Sequence, residues 1–181
     1  MTISFSDKKM KNKLEIILLL LLLMILSLSA VYSVDGTNLA NVMSDKLKFT
    51  NDSSHMNMTE DKLVLENVTF NIPDGFKEDK KSTQLDFYSD DPSFEGLRAS
   101  RCVFNSGDDH ITYMVGYSLT SDTLFSQVDL LEESDGIHKT IANKDGILSE
   151  ENGEYAFLYK TENGYVQLLS NKEDLISHAI I

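Results

Sequence analysis

The sequence holds a single cysteine, Cys102. No intrachain disulfide can form, so a small domain here must hold together by its apolar core alone. Cys102 sits in a strand-like stretch between Arg101 and Val103 and reads as a buried structural thiol. A nucleophilic thiol would need a histidine beside it, which spacing along one chain does not supply. Positive charge is also scarce. The net charge is −13, and the residues before the apolar run, with Lys8, Lys9, Lys11 and Lys13 against Asp7 and Glu15, contribute +2 of it, leaving −15 for the rest. After Lys13 the only basic cluster is the Lys80-Lys81 pair. Such a surface repels phosphate backbones, which argues against nucleic-acid binding; its plain role is solubility.

Catalytic signatures are missing as well. The histidines at 55, 110, 138 and 178 lie in four separate segments, with no His-x-x-His, His-Glu-x-x-His or Cys-x-x-Cys spacing, so a zinc site has no sequence support. A calcium loop starting at Asn105 would need a bidentate Glu where Gly116 stands, and the stretch Asn105 to Asp109 reads as a turn. Asp90-Asp91, Glu132-Glu133 and Glu150-Glu151 are adjacent acids of the kind ordinarily solvated in turns and helix ends. There is no Gly-x-Ser-x-Gly, Ser-x-x-Lys or glycine-rich phosphate loop. No residue is therefore assigned a catalytic, cofactor-binding or metal-binding role.

What is present begins with an apolar run. Residues 16–34, from Ile16 to Val34, carry no charge, and as a helix they would be about 28 Å long, close to the roughly 30 Å of bilayer hydrocarbon. Lysines crowd the N-terminal side, so the positive-inside rule predicts residues 1–15 in the cytoplasm and the rest of the chain outside. The expectation is a single-pass cell-membrane protein, in contact with the lipid bilayer through residues 16–34 as a signal anchor. A cleaved signal remains the alternative, because Ile16–Leu26 is short and Ser27-Leu28-Ser29 followed by Ala30 offers a small-x-small site.

Residues 35–61 mix Asn, Ser, Thr and Asp without a sustained period and read as a flexible stalk. Asn51, Asn57 and Asn67 head glycosylation sequons, although about two would occur by chance in this composition. From Lys62 to Ile181 short runs of Val, Ile, Phe and Tyr alternate with turn residues. This predicts strands near Lys62–Leu65, Val68–Ile72, Gln84–Tyr88, Leu97–Phe104, His110–Leu119, Lys139–Ala142, Gly146–Ser149, Glu154–Lys160 and Tyr165–Ser170. Asn163-Gly164 predicts a two-residue type I′ hairpin pairing Thr161 with Val166, Tyr159 with Leu168 and Phe157 with Ser170. Ile111, Tyr113, Val115, Tyr117 and Leu119 form a core-facing stripe. Two helices are expected: Ser121–Glu133, and a C-terminal one with Ser170 as N-cap and Glu173 completing a capping box. The predicted fold is α+β: an N-terminal transmembrane helix, then an antiparallel sheet with two helices packed on it, as one domain over residues 62–181.

A lysine-led apolar helix, an Asn/Ser/Thr-rich stalk and a domain opening with Val68-Thr-Phe-Asn-Ile-Pro-Asp-Gly-Phe76 resemble uncharacterised small surface proteins of methanogenic archaea. Those domains also tend to close with a Tyr-x-x-x-Asn-Gly hairpin and a short helix, here from Tyr159 through Asn163-Gly164 to Leu169. The resemblance covers residues 8–181 and implies location and architecture, with no active-site residue. The functional expectation is a non-enzymatic, membrane-anchored extracytoplasmic domain that contacts another protein, an envelope component or a small ligand. The alternative is a hydrolase whose carboxylates converge only in the fold; two acids from distant segments in one cleft would favour it.

Overall fold

Alternation of apolar and polar residues dominates the chain, and strands dominate the structure. The computed structural model describes residues 47–89, 96–119, 130–134, 136–162 and 164–181. Twelve strands lie among these: β1 (Leu47–Phe49), β2 (Met56–Met58), β3 (Lys62–Leu65), β4 (Val68–Asn71), β5 (Lys77–Glu78), β6 (Gln84–Ser89), β7 (Leu97–Ser106), β8 (Asp109–Ser118), β9 (Ile137–Ile141), β10 (Lys144–Glu151), β11 (Glu154–Thr161) and β12 (Gly164–Ser170). The main sheet runs β1-β6-β7-β8-β12-β11-β10-β9 with β5 added to β7, and β2-β3-β4 form a second, smaller sheet. All the pairings are antiparallel.

The core lies between the sheets. Leu63, Leu65 and Phe70 of the small sheet pack with Phe104, Tyr113, Phe157 and Leu168 of the large one, and Ile176 and Ala179 close the end. Phe70 and Phe104 both meet the Tyr113 ring, at centroid distances of 5.2 and 5.6 Å, while the Tyr113 hydroxyl donates to the Asn71 carbonyl. Of the predicted aromatic stripe, Ile111, Tyr113 and Val115 are buried, Tyr117 is half-buried and Leu119 is exposed. Two-residue turns with positive φ join neighbouring strands at Glu66-Asn67, Ala142-Asn143 and Asn152-Gly153, the left-handed pair that a type I′ hairpin requires.

Four expectations need correction. The fold is mostly antiparallel β, not α+β with two packed helices: the described helices are α1 (Leu130–Glu133, a single turn) and α2 (Glu173–Ala179, seven residues). Residues 121–129 of the first expected helix lie outside the described residues. Ser170 does not cap the second one, because it ends β12 and donates to the His110 carbonyl; Lys172 is the N-cap and makes no side-chain cap bond.

Second, among the described residues no helix is long and apolar enough to cross a membrane. The transmembrane helix is therefore not among the elements of the described fold, and the structure lends the cell-membrane location no support; residues 1–46, which include 16–34, lie outside the described residues.

Third, residues 47–61 are not stalk. Leu47, Lys48 and Phe49 pair with Ser89, Tyr88 and Phe87, and Met56 to Met58 pair with Leu65 to Leu63, so the compact unit begins at Leu47.

Fourth, the last hairpin is shifted: Thr161 opposes Gly164, Tyr159 opposes Val166 and Phe157 opposes Leu168. The shift of two residues preserves which side chains share a face while changing every cross-strand partner. Its cause lies on the neighbouring strand. A Cβ on Gly164 would come within 2.0 Å of the Gly116 carbonyl oxygen of β8. The glycine is therefore needed for close approach inside the ladder.

Candidate functional site

A run of polar side chains converges at the end of the core where β6, β7 and β8 meet the 3₁₀ turn Ser53–His55 and the β3–β4 turn. At its centre is Asp86, in the middle of β6 and buried. Pairing between β6 and β7 slips between Gln84 and Phe87, and Asp86 takes a φ of 48° there. This left-handed conformation, open to Asp more than to most residues, turns its carboxylate inward at the bulge.

The carboxylate is fully engaged. Tyr117 donates to Oδ1 at 2.6 Å, Arg98 Nη1 reaches Oδ1 and Oδ2 at 2.9 and 2.8 Å, and Thr50 donates to Oδ2 at 2.9 Å. The Asp86 amide donates to Ser100 Oγ at 2.8 Å, and that hydroxyl donates onward to Glu66. Glu66 also bonds His55 Nδ1 at 3.0 Å, while the other ring nitrogen lies 3.9 Å from Asp86 Oδ2. His55 thus stands between two carboxylates brought from segments 20 residues apart. Its ring stacks on Tyr117 at 6.4 Å, and the Arg98 guanidinium lies 4.3 Å over the Tyr88 ring.

Electrostatics follow from these partners. Desolvation pushes the Asp86 carboxyl up, but the bonds from Tyr117, Arg98 and Thr50 outweigh it and hold the group below the usual carboxylate range. The hydrogen bond to Glu66 raises His55 above its ordinary value against a smaller desolvation penalty. The two shifts predict a pH profile. A histidine raised in the folded state contributes stability that is complete below the unfolded value of 6.5 and lost as pH climbs through the higher folded value. A lowered aspartate contributes fully above 3.8 and is lost as pH falls through its lower folded value. The cluster therefore stabilises most between about pH 4 and pH 6. Urea unfolding across that range and above it should show stability declining on the alkaline side, and His55→Gln should flatten that decline.

Chemically the arrangement offers a weak base. Asp86 takes three donor groups, with Tyr117 on Oδ1, Thr50 on Oδ2 and Arg98 Nη1 astride both oxygens, and they hold it below the usual carboxylate range, which makes it a weak acceptor of a substrate proton. The proton of Ser100 goes to Glu66 rather than to a histidine, so the hydroxyl is not set up as a nucleophile. Cys102 is buried 3.3 Å from the Met56 sulfur, and burial pushes its thiol up to about 12, which keeps it protonated.

The other residues singled out in the sequence stay apart. His110 bonds Glu154 at 2.8 Å at the far end of β8, and His138 and His178 are exposed on β9 and α2. Glu132-Glu133 lies in α1 and Glu150-Glu151 at the end of β10, while Asp90-Asp91 lies outside the described residues. Among the described residues no group of three or more His, Cys, Asp or Glu is placed to hold a metal ion. A cleft of about 380 Å³ opens between the β3–β4 turn and the ends of β10 and β11, lined by Asn67, Thr69, Lys144, Lys160 and Glu162 among others. Of the cluster residues only His55, as one of four isolated histidines, and Tyr117, as part of the core stripe, stood out in the sequence; the one usable signal for the rest was a lone acid between Leu85 and Phe87 inside a predicted strand. Comparison of the chain with protein-family models, curated proteins and solved structures finds no match.

Proposed function

We propose that residues 47–181 form a non-enzymatic binding domain that contacts another protein or a small ligand. The observation that carries this reading is that both oxygens of Asp86 are engaged by Tyr117, Arg98 and Thr50, which hold the carboxyl below its usual range and leave it a weak base. A catalytic base works best with a pKa near the operating pH. The cleft lined by Lys144 and Lys160 is the place for a ligand, since its volume falls in the range of small-molecule sites and it offers two ammonium groups on an otherwise acidic chain.

The hydrolase reading keeps one supporting observation, the convergence of Glu66 and Asp86 on His55. The two are separated by assaying the purified chain against glycoside, ester and peptide substrates beside Glu66→Gln, an isosteric change that removes one carboxylate. We expect no turnover above background in either protein. An activity that falls at least about tenfold in the variant, with its circular dichroism and melting midpoint unchanged, would establish the hydrolase instead.

A further inference from the structure

Arg98 and Arg101 stand three residues apart on β7 and so project from opposite faces of the main sheet. Arg98 finds a carboxylate on the core side. Arg101 does not. It belongs to a row of directly opposed residues that crosses the other face in register: Gln84 on β6, Arg101 on β7, Met114 on β8, Gln167 on β12 and Leu158 on β11. Opposed residues in a ladder share a face, so these side chains form one line.

The line is dry at its middle. Arg101 is 3% exposed and Met114 1%. Among the described residues, Nε and Nη1 of Arg101 have no hydrogen-bond partner, and neither does Oε1 of Gln84 or of Gln167. Burial lowers the basicity of the guanidinium, yet an arginine stays charged at neutral pH. A buried charge without a partner is strongly unfavourable, and a carboxylate or phosphate is the group that relieves it best.

We propose that Arg101 anchors a binding site for a hydroxylated oxyanion, a carboxylate or phosphate that also carries hydroxyl groups. The charged end pairs with the guanidinium, where the low dielectric of the site strengthens the contact. Hydroxyls of the same ligand donate to the two orphan amide oxygens, Gln84 one strand to one side and Gln167 two strands to the other. Across four strands this row spans about 14 Å, on the scale of a sugar acid or sugar phosphate. Gln84 and Gln167 are half-buried as residues, while the Oε1 atom of each is itself enclosed. The site stands on its own observations and does not depend on the lysine-lined cleft.

The test is thermal unfolding of the full chain at fixed ionic strength with inorganic phosphate, glucuronate or neutral glucose, for the native protein, Arg101→Met and Arg101→Lys. A ligand that binds only the folded state raises the midpoint with concentration. The native protein should show that rise with phosphate or glucuronate and not with glucose, and a larger rise with glucuronate would report the hydroxyl contacts. Arg101→Met should melt at or above the native midpoint without ligand, because an unpaired buried charge has been replaced by an apolar side chain, and should lose the anion response. Arg101→Lys keeps the charge without the planar fork and should retain a reduced response. An equal anion response in the native protein and Arg101→Met, or none in either, overturns the proposal. So does a lowered midpoint in Arg101→Met with no anion response in the native protein, which would mean that a carboxylate of the chain itself holds the guanidinium.

Discussion

Phe157→Ala is expected to lower the unfolding free energy by about 3–5 kcal/mol, measured by urea denaturation with an unchanged slope. Phe157 is fully buried at the centre of the main sheet, opposite Leu168 on β12 and Leu148 on β10. Its ring lies 5.7 Å from that of Tyr159, and its edge fills the space that Gly146 leaves open. Truncation removes the transfer free energy of the ring and leaves a cavity which the neighbours cannot fill, since each is held by a ladder on both sides. A domain of this size is stable by only about 5–15 kcal/mol, so the variant stands near the limit of folding. Without a disulfide to limit the unfolded chain, nothing offsets the loss.

The strands that build this core were legible because burial leaves a periodic imprint. Each of the nine stretches picked out by alternation from Lys62 onward forms a strand, with its ends displaced by three residues or fewer. In β3 the alternation is complete, with Leu63 and Leu65 buried and Lys62 and Val64 half-exposed. In β7 it is nearly absent, because six consecutive residues from Ala99 to Phe104 are buried on both faces of the sheet.

What could not be read is what depends on partners distant in the chain. Asn163-Gly164 has the composition of a type I′ turn, but the use of Gly164 is set by a carbonyl 48 positions earlier, at Gly116. Asn152-Gly153, the same dipeptide, does make the turn, with φ values of 55° and 82°. The dipeptide alone does not distinguish the two. The polar cluster was hidden by the same limitation. Asn51, Asp52, Ser53 and Ser54 look like a solvated stalk, yet Asn51 Oδ1 accepts from the Leu85 amide and Asp52 caps the 3₁₀ turn that carries His55. Polar composition signals hydrogen bonding without telling whether water or protein supplies the partner.

Asp86→Ala tests how much that partnership is worth. The substitution leaves Arg98 without its carboxylate, Tyr117 and Thr50 without an acceptor and His55 with one acid instead of two. It also places alanine at a φ of 48°, which an aspartate tolerates better. Removing one partner from a buried charge network costs about 3–5 kcal/mol, most of it the penalty of the charge left behind. Arg98→Met should cost less, since the Asp86 carboxylate would keep its bonds from Tyr117 and Thr50 and remain facing His55. The informative measurement is the double variant. If the cluster acts as a unit, combining Asp86→Ala with Arg98→Met should be milder than the sum of the two single effects by more than about 1 kcal/mol, because the second change removes the charge that the first one orphaned. Simple additivity would show that Asp86 stabilises the fold mainly through its backbone bulge. In that case the histidine and the two acids around it would be poised on a scaffold that does not need them, and the hydrolase reading would gain the ground the binding reading lost.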